Sequence, residues 1–259
     1  MDVRMQPWIK EVSRNHCAPV IATHPAYDAT HGFLHIPKTG GTSVMTFLEQ
    51  VSSSVSRLPV PLFHTWTLSL IAEYFPEMQL SFAIRDPLER LISGYHSRLR
   101  MGRPEYEVPW APREAAAFSL YPSIDTFLNG LLDDSEYHQS ATSFVMNSLS
   151  TLHWNYQYYF GSVDQIRRMN NMFFAVADVS NIKQLVQTWL DQGVVKGLAA
   201  HSIDSSGLVS QYEANHRSSR SVDCVLGEYE PDQISRIKSR LSDEYILYDE
   251  LTKMINVGT

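Results

Sequence analysis

The run Gly32-Phe33-Leu34-His35-Ile36-Pro37-Lys38-Thr39-Gly40-Gly41-Thr42-Ser43 constrains the fold of this chain more than any other stretch. Gly32 to Ile36 reads as a short buried strand, Pro37 to Gly41 as a turn, and Thr42 to Val51 as a helix with Val44, Phe47, Leu48 and Val51 on one face. A strand feeding a helix through adjacent glycines is an α/β building block. It is also a natural anion cradle. Glycines let main-chain amides approach an anion closely, and a helix start offers unpaired N–H groups at the positive end of its dipole. Lys38 adds a cation, and Thr39, Thr42 and Ser43 add hydroxyls. On the glycines alone, a tight turn with a solvated lysine is an equal reading.

The rest of the chain continues the alternation. Leu58 to Phe63 is extended, and Pro59 and Pro61 assign it to a sheet edge or a strand end. Thr67 to Tyr74 suits a turn or two of helix, and Leu80 to Ile84 is a strand. Pro87 then opens a helix through Leu88, Leu91, Ile92 and Tyr95 toward Met101. Met172 to Ala177 is a further strand, and Ser180 is positioned to cap a helix carrying Ile182, Leu185, Val186 and Trp189. Helices are expected over Ser123–Leu132 and Glu136–Leu149, after Ser162, and twice between Pro231 and Met254. The prolines of residues 1–30 imply an irregular opening, and the Pro, Trp and Tyr of Gly102–Tyr121 imply loops over the sheet edge. Without repeats or a linker, residues 1–259 read as one α/β domain, a mainly parallel sheet flanked by helices.

Composition removes several classes of function. A formal charge of −7 argues against a protein-wide grip on nucleic acid or anionic membrane, and makes a long polyanionic substrate less natural. Cys17 and Cys224 have no metal-ligand spacing and read as two reduced thiols, and no cluster suggests a metal. The first thirty residues contain Arg4, Lys10 and Arg14 and no long apolar run, so a soluble, cytoplasmic protein without a membrane span is expected.

A second anion-binding segment is Ile84-Arg85-Asp86-Pro87-Leu88-Glu89-Arg90-Leu91-Ile92-Ser93-Gly94-Tyr95. Arg85 stands at the carboxyl end of a predicted strand, where open α/β sheets place their ligands. Ser93 follows two helical turns later, and a guanidinium fork with a hydroxyl suits a phosphomonoester. The plainer reading pairs Arg85 with Asp86 and leaves Ser93 on the surface.

The first segment is not a Walker loop, because Lys38 precedes Gly40 and Gly41 instead of following the second glycine. Its PKTGGTS form resembles the 5′-phosphosulfate loop of the sulfotransferase superfamily, especially the 2-O-sulfotransferase type of the carbohydrate branch. RDPxxRxxSxY is similar to that superfamily's 3′-phosphate segment. The resemblance implies a P-loop-like sulfotransferase fold that uses 3′-phosphoadenosine 5′-phosphosulfate as donor. It assigns Pro37 through Ser43 (Lys38, Thr39, Gly40, Gly41 and Thr42 between them) to the 5′ end, and Arg85 and Ser93 to the 3′-phosphate. By the same resemblance, the polar basic stretch near Arg217 and Ser218 closes over the nucleotide. The acceptor it implies is a hydroxyl on a sugar, with a small molecule or lipid next.

Sulfuryl transfer needs a base for the acceptor proton and positive charge at the leaving oxygen. Lys38 suits the second role. Among ten histidines, His64 suits the first: it follows the extended Leu58–Phe63 segment and lies between the two motifs. Packing beside Trp66 is its structural alternative, His35 reads as scaffold, and His96 is the weaker candidate base. His153 to Phe160 would stack on an acceptor ring or fill a core. Arg98, Arg100, Arg103 and Arg113 would bind an acidic acceptor or stay solvated. The rival functions are a nucleotide kinase or NTPase, and a nucleotide-binding protein without chemistry.

Overall fold

The computed structural model describes residues 26–103, 107–197 and 220–255. They form two compact units, one of residues up to Ile84, from Tyr159 to 197 and from Asp249 on, the other of Arg85–Tyr158 and residues 220 to Tyr248. No helix among the described residues is long and apolar enough to cross a membrane. Arg217 and Ser218, like Cys17, lie outside the described residues.

The first unit is built on a four-stranded sheet of β1 (Tyr27–Leu34), β2 (Leu58–Leu62), β3 (Gln79–Ile84) and β4 (Phe173–Asp178), in the order β2-β1-β3-β4. Every pairing is parallel. The expected α/β class with a parallel sheet is therefore present. β2 is an edge strand, as its prolines require. The Leu58 N–H donates to the Ala26 carbonyl at 2.6 Å. By the alternation of a parallel ladder, Pro59 and Pro61 then occupy positions whose missing N–H would face away from β1.

Helices α1 (Gly41–Val51) and α10 (Ile182–Asp191) pack on one face of this sheet. Val44, Phe47, Leu48 and Val51 of α1 meet Phe33, Ala83, Ala175 and Ala177 of the strands and Leu185, Val186 and Trp189 of α10. Each large side chain buried in this way contributes about 1.5–3 kcal/mol. The Trp189 indole N–H is satisfied by the buried Ser81 hydroxyl at 2.9 Å. Strand alternation points Phe82 the other way, where its ring lies 5.1 Å from those of Phe160 and Phe173. Gly32 is needed by β1, since a Cβ there would lie 2.6 Å from Met78 Sδ.

Among the described residues, the remaining α-helices are α2 (Leu68–Tyr74), α3 (Pro87–Leu99), α4 (Pro112–Leu120), α5 (Ile124–Leu132), α6 (Glu136–Ser148), α7 (Ser150–His153), α8 (Tyr156–Phe160), α9 (Val163–Arg168), α11 (Val222–Leu226), α12 (Pro231–Arg240) and α13 (Ser242–Thr252). The second unit is helical around Leu88, Leu91, Ile92, Tyr95, Phe118, Phe127, Leu128, Val145 and Leu152.

Three local expectations need correction. β1 begins at Tyr27, inside the stretch expected to be irregular, because Tyr27 and Asp28 pair with Leu58 and Pro59. The Gly102–Tyr121 region contains α4, where Pro112 opens the helix and Glu114 accepts a hydrogen bond from the Ala111 N–H at 3.1 Å. Ser180 does not cap α10. It lies in a 3₁₀ turn, where its N–H and hydroxyl both donate to Asp178, and Asn181 stands at the N-cap.

Candidate functional site: an anion cradle with an adjoining histidine

β1 ends at Leu34, and the chain reaches α1 through a turn with two residues in left-handed conformation, Lys38 at φ 67° and Gly40 at φ 83°. Glycine adopts that region freely, whereas a lysine there costs roughly 1–2 kcal/mol. Backbone strain of this kind persists where the surroundings over-determine it. The Thr39 hydroxyl is buried and donates to the Ile36 carbonyl at 3.0 Å, so it closes the turn. Gly40 is the N-cap of α1, and no side chain caps the helix. The Ser43 N–H turns back to the Gly40 carbonyl at 3.0 Å. The first N–H groups of α1 are therefore left for water or an anion, next to the exposed Thr42.

His64 follows β2 by two residues, and its Nδ1 lies 2.8 Å from the main-chain carbonyl of His35. A carbonyl only accepts, so Nδ1 carries the proton and Nε2 of the neutral ring is the basic nitrogen. The two imidazole rings are 4.5 Å apart, and the Tyr159 hydroxyl donates to the His64 carbonyl at 3.0 Å. Burial first, then the Lys38 charge, hold His64 below the ordinary histidine range, against the pull of the bond to His35. Lys38 is thus within electrostatic reach of both histidines. Trp66 is fully buried and its ring lies near those of Tyr74 and Phe75, whereas His64 is only half-buried.

In the second unit, Asp86 caps α3 by accepting from the Leu88 and Glu89 N–H groups at 2.9 and 3.1 Å. Arg85 pairs with Glu89 rather than Asp86, through Nε at 3.1 Å, so the plainer pairing is corrected. Its main chain is held by the Tyr156 hydroxyl, which accepts from the Arg85 N–H at 2.8 Å and donates to its carbonyl at 2.6 Å. Glu89 and the half-buried Ser93 are four residues apart on α3 and share one helical face. Arg90 is buried, donates to the Thr151 and Trp154 carbonyls, and lies over the Tyr156 ring. It braces the helices.

The other candidates divide between core and surface. Arg98 is buried in a fork-like pair with Glu114, at 2.7 and 2.6 Å, and is not part of an open cationic surface. Arg103 pairs with Glu107, and Arg113 lies over Phe144. In the aromatic run, Tyr156, Tyr159 and Phe160 are fully buried and fill core, whereas His153 and Gln157 are exposed. His96 is held below its usual range by burial, then by Arg100 and Arg220.

Pro37 through Ser43, His35 and His64 are thus brought together in the first unit, while Arg85 and Ser93 belong to the second. Tyr159 was not foreseen as a support for His64; its only sequence signal is membership of the aromatic run. No family model matches this chain, and no curated protein matches it.

Proposed function

We propose that this chain is a sulfotransferase that moves a sulfuryl group from 3′-phosphoadenosine 5′-phosphosulfate to an acceptor hydroxyl on a sugar or other small molecule. The observation that carries this reading is the cradle with a histidine of fixed tautomer beside it. His64 has Nδ1 committed to the His35 carbonyl, and Lys38 and the uncapped start of α1 belong to the same loop system. The residues suit the donor's 5′ end, because main-chain amides, Lys38 and the Thr42 hydroxyl are all donors to anionic oxygen.

In this reading the sulfur forms its bond to the acceptor oxygen as its bond to the bridging phosphate oxygen breaks. The acceptor proton passes to His64 Nε2, and Lys38 with the α1 amides neutralises the departing phosphate. Pro37 and Thr39 shape the turn. Arg85 and Ser93 hold the 3′-phosphate; the bond to Glu89 uses only Nε and leaves the terminal nitrogens for a second partner. Arg217 and Ser218 are proposed to close over the nucleotide. The P-loop-like sulfotransferase variant of the α/β fold belongs to the same proposal.

The test is transfer of labelled sulfate from the donor to a panel of sugars, phenols and lipids. Transfer by the wild type, with collapse in folded His64→Ala and Lys38→Ala, is the expected result. Phosphoryl transfer from magnesium ATP in the same panel would instead establish the kinase reading.

A further inference from the structure

We propose that His35 is a further binding residue of the cradle, donating a hydrogen bond from Nε2–H of an uncharged imidazole to the anion at the start of α1. The inference rests on the proposed function only for the identity of that anion.

The placement comes from the closeness of the ring to α1. A Cβ added to Gly41 would lie 2.0 Å from His35 Cδ2 and 2.4 Å from Nε2. The Cδ2–Nε2 edge therefore lies directly against the first residue of the helix, where the unpaired N–H groups are. This contact, and not a left-handed backbone, is what calls for glycine at position 41. Among the described residues, His35 is hydrogen-bonded only through its main-chain N–H and carbonyl.

The opposite side of the ring supplies the second observation. Nδ1 is buried without a hydrogen-bond partner. The ring stacks on Phe33 at 6.2 Å and faces His64 at 4.5 Å. A proton on Nδ1 would be a buried donor with nothing to receive it, and would leave a bare acceptor nitrogen at the positive end of a helix. A proton on Nε2 leaves Nδ1 as a bare acceptor, which burial tolerates better than an orphan donor, and the donor then points where an anion is favoured. Burial, followed by the neighbouring His64 and Lys38, holds His35 well below the ordinary histidine range, so the ring is uncharged at neutral pH. One residue thereby serves two parts of the site, its carbonyl fixing the tautomer of His64 and its ring adding a donor to the cradle.

The experiment uses side chains that imitate one ring nitrogen at a time. The amide nitrogen of His35→Gln reaches the Nε2 position, whereas that of His35→Asn reaches only Nδ1. Binding of 3′-phosphoadenosine 5′-phosphate and of pyrophosphate to the full chain is measured by calorimetry. His35→Asn is expected to weaken both about tenfold or more, and His35→Gln to stay within a few-fold of wild type. Long-range ¹⁵N–¹H spectra of the wild-type ring provide a reading independent of any variant, with Nε2 protonated and its shift moving on addition of either anion. Undiminished binding by His35→Asn, or a ring protonated on Nδ1 in the bound state, overturns the inference. If pyrophosphate binds with this dependence on His35 but the nucleotide does not, the inference stands and the sulfotransferase reading fails. If the wild type binds neither anion, both fail.

Discussion

His64 Nδ1 lies 2.8 Å from the main-chain oxygen of His35, a bond between the second residue after β2 and the residue that follows β1. It orients the only ring nitrogen of His64 able to take a proton. His64→Asn preserves an amide N–H for the His35 carbonyl but removes Nε2. It should keep donor affinity and thermal stability near wild type while the rate constant for transfer falls about 10²–10⁴-fold. Steady-state kinetics with labelled donor, alongside a melting curve, check this.

The acid limb of activity should reflect the same geometry. Burial, then Lys38, lower His64 from its ordinary value of 6.5, so the ring stays uncharged through neutral pH and activity declines only on acidification below that value. Removing the Lys38 charge should raise the His64 titration midpoint. An NMR titration of the His64 ring in wild type and Lys38→Met checks the sign.

Lys38 holds a left-handed φ of 67° that a glycine would adopt without strain. Lys38→Gly is therefore expected to relieve about 1 kcal/mol of strain, partly offset by the greater freedom of glycine in the unfolded chain. Its urea midpoint should equal or exceed wild type, while sulfate transfer is lost. A destabilised Lys38→Gly would show that the turn is held by something other than its backbone.

Gly41→Ala should be costly for a different reason, because its Cβ would lie 2.0 Å from a ring carbon of His35. Overpacking of this kind costs about 1–3 kcal/mol, and the displaced ring would disturb the carbonyl that holds His64. Urea unfolding should show the loss. His35→Ala in the same chain should recover most of it by opening the space.

Arg98 and Glu114 form a buried pair in the second unit. Truncating either alone should cost about 3–5 kcal/mol by leaving the other charge unpaired, whereas Arg98→Met with Glu114→Leu should cost less than either single change. A double-mutant cycle by chemical denaturation measures this. The first unit's cradle is not part of the pair, so the outcome bears on stability and not on the reaction.

Some of this was legible in the residues and some was not, for identifiable reasons. The β1–turn–α1 unit could be read because Gly40 and Gly41 mark the turn and Val44, Phe47, Leu48 and Val51 recur with helical spacing. The prolines of β2 pointed to a sheet edge or a strand end, and β2 is the edge strand. The beginning of β1 could not be read, because Asp28 is a poor strand former and both Asp28 and Thr30 are polar. They are held by Arg57, which pairs with Asp28 and donates to the Thr30 hydroxyl at 2.8 Å. α4 was hidden by the Pro and Trp before it. Its Pro112 starts a helix, and the Trp110 indole donates to the Arg98 carbonyl at 2.7 Å. His64 was found by its position between motifs, but the bond that orients it joins residues 29 apart in the chain. The orientation of the His35 ring depends on the path of the turn after β1, which residue types alone do not specify.

We propose that the cradle and the Arg85 segment both serve a 3′-phosphoadenylyl donor. Calorimetric titration of the full chain with 3′-phosphoadenosine 5′-phosphate, and separately with magnesium ATP, tests it most directly. Saturable binding of the bisphosphate, weakened by Lys38→Ala and by Arg85→Ala, is expected, with much weaker binding of magnesium ATP. Preferential binding of magnesium ATP, or bisphosphate binding indifferent to both substitutions, would contradict it.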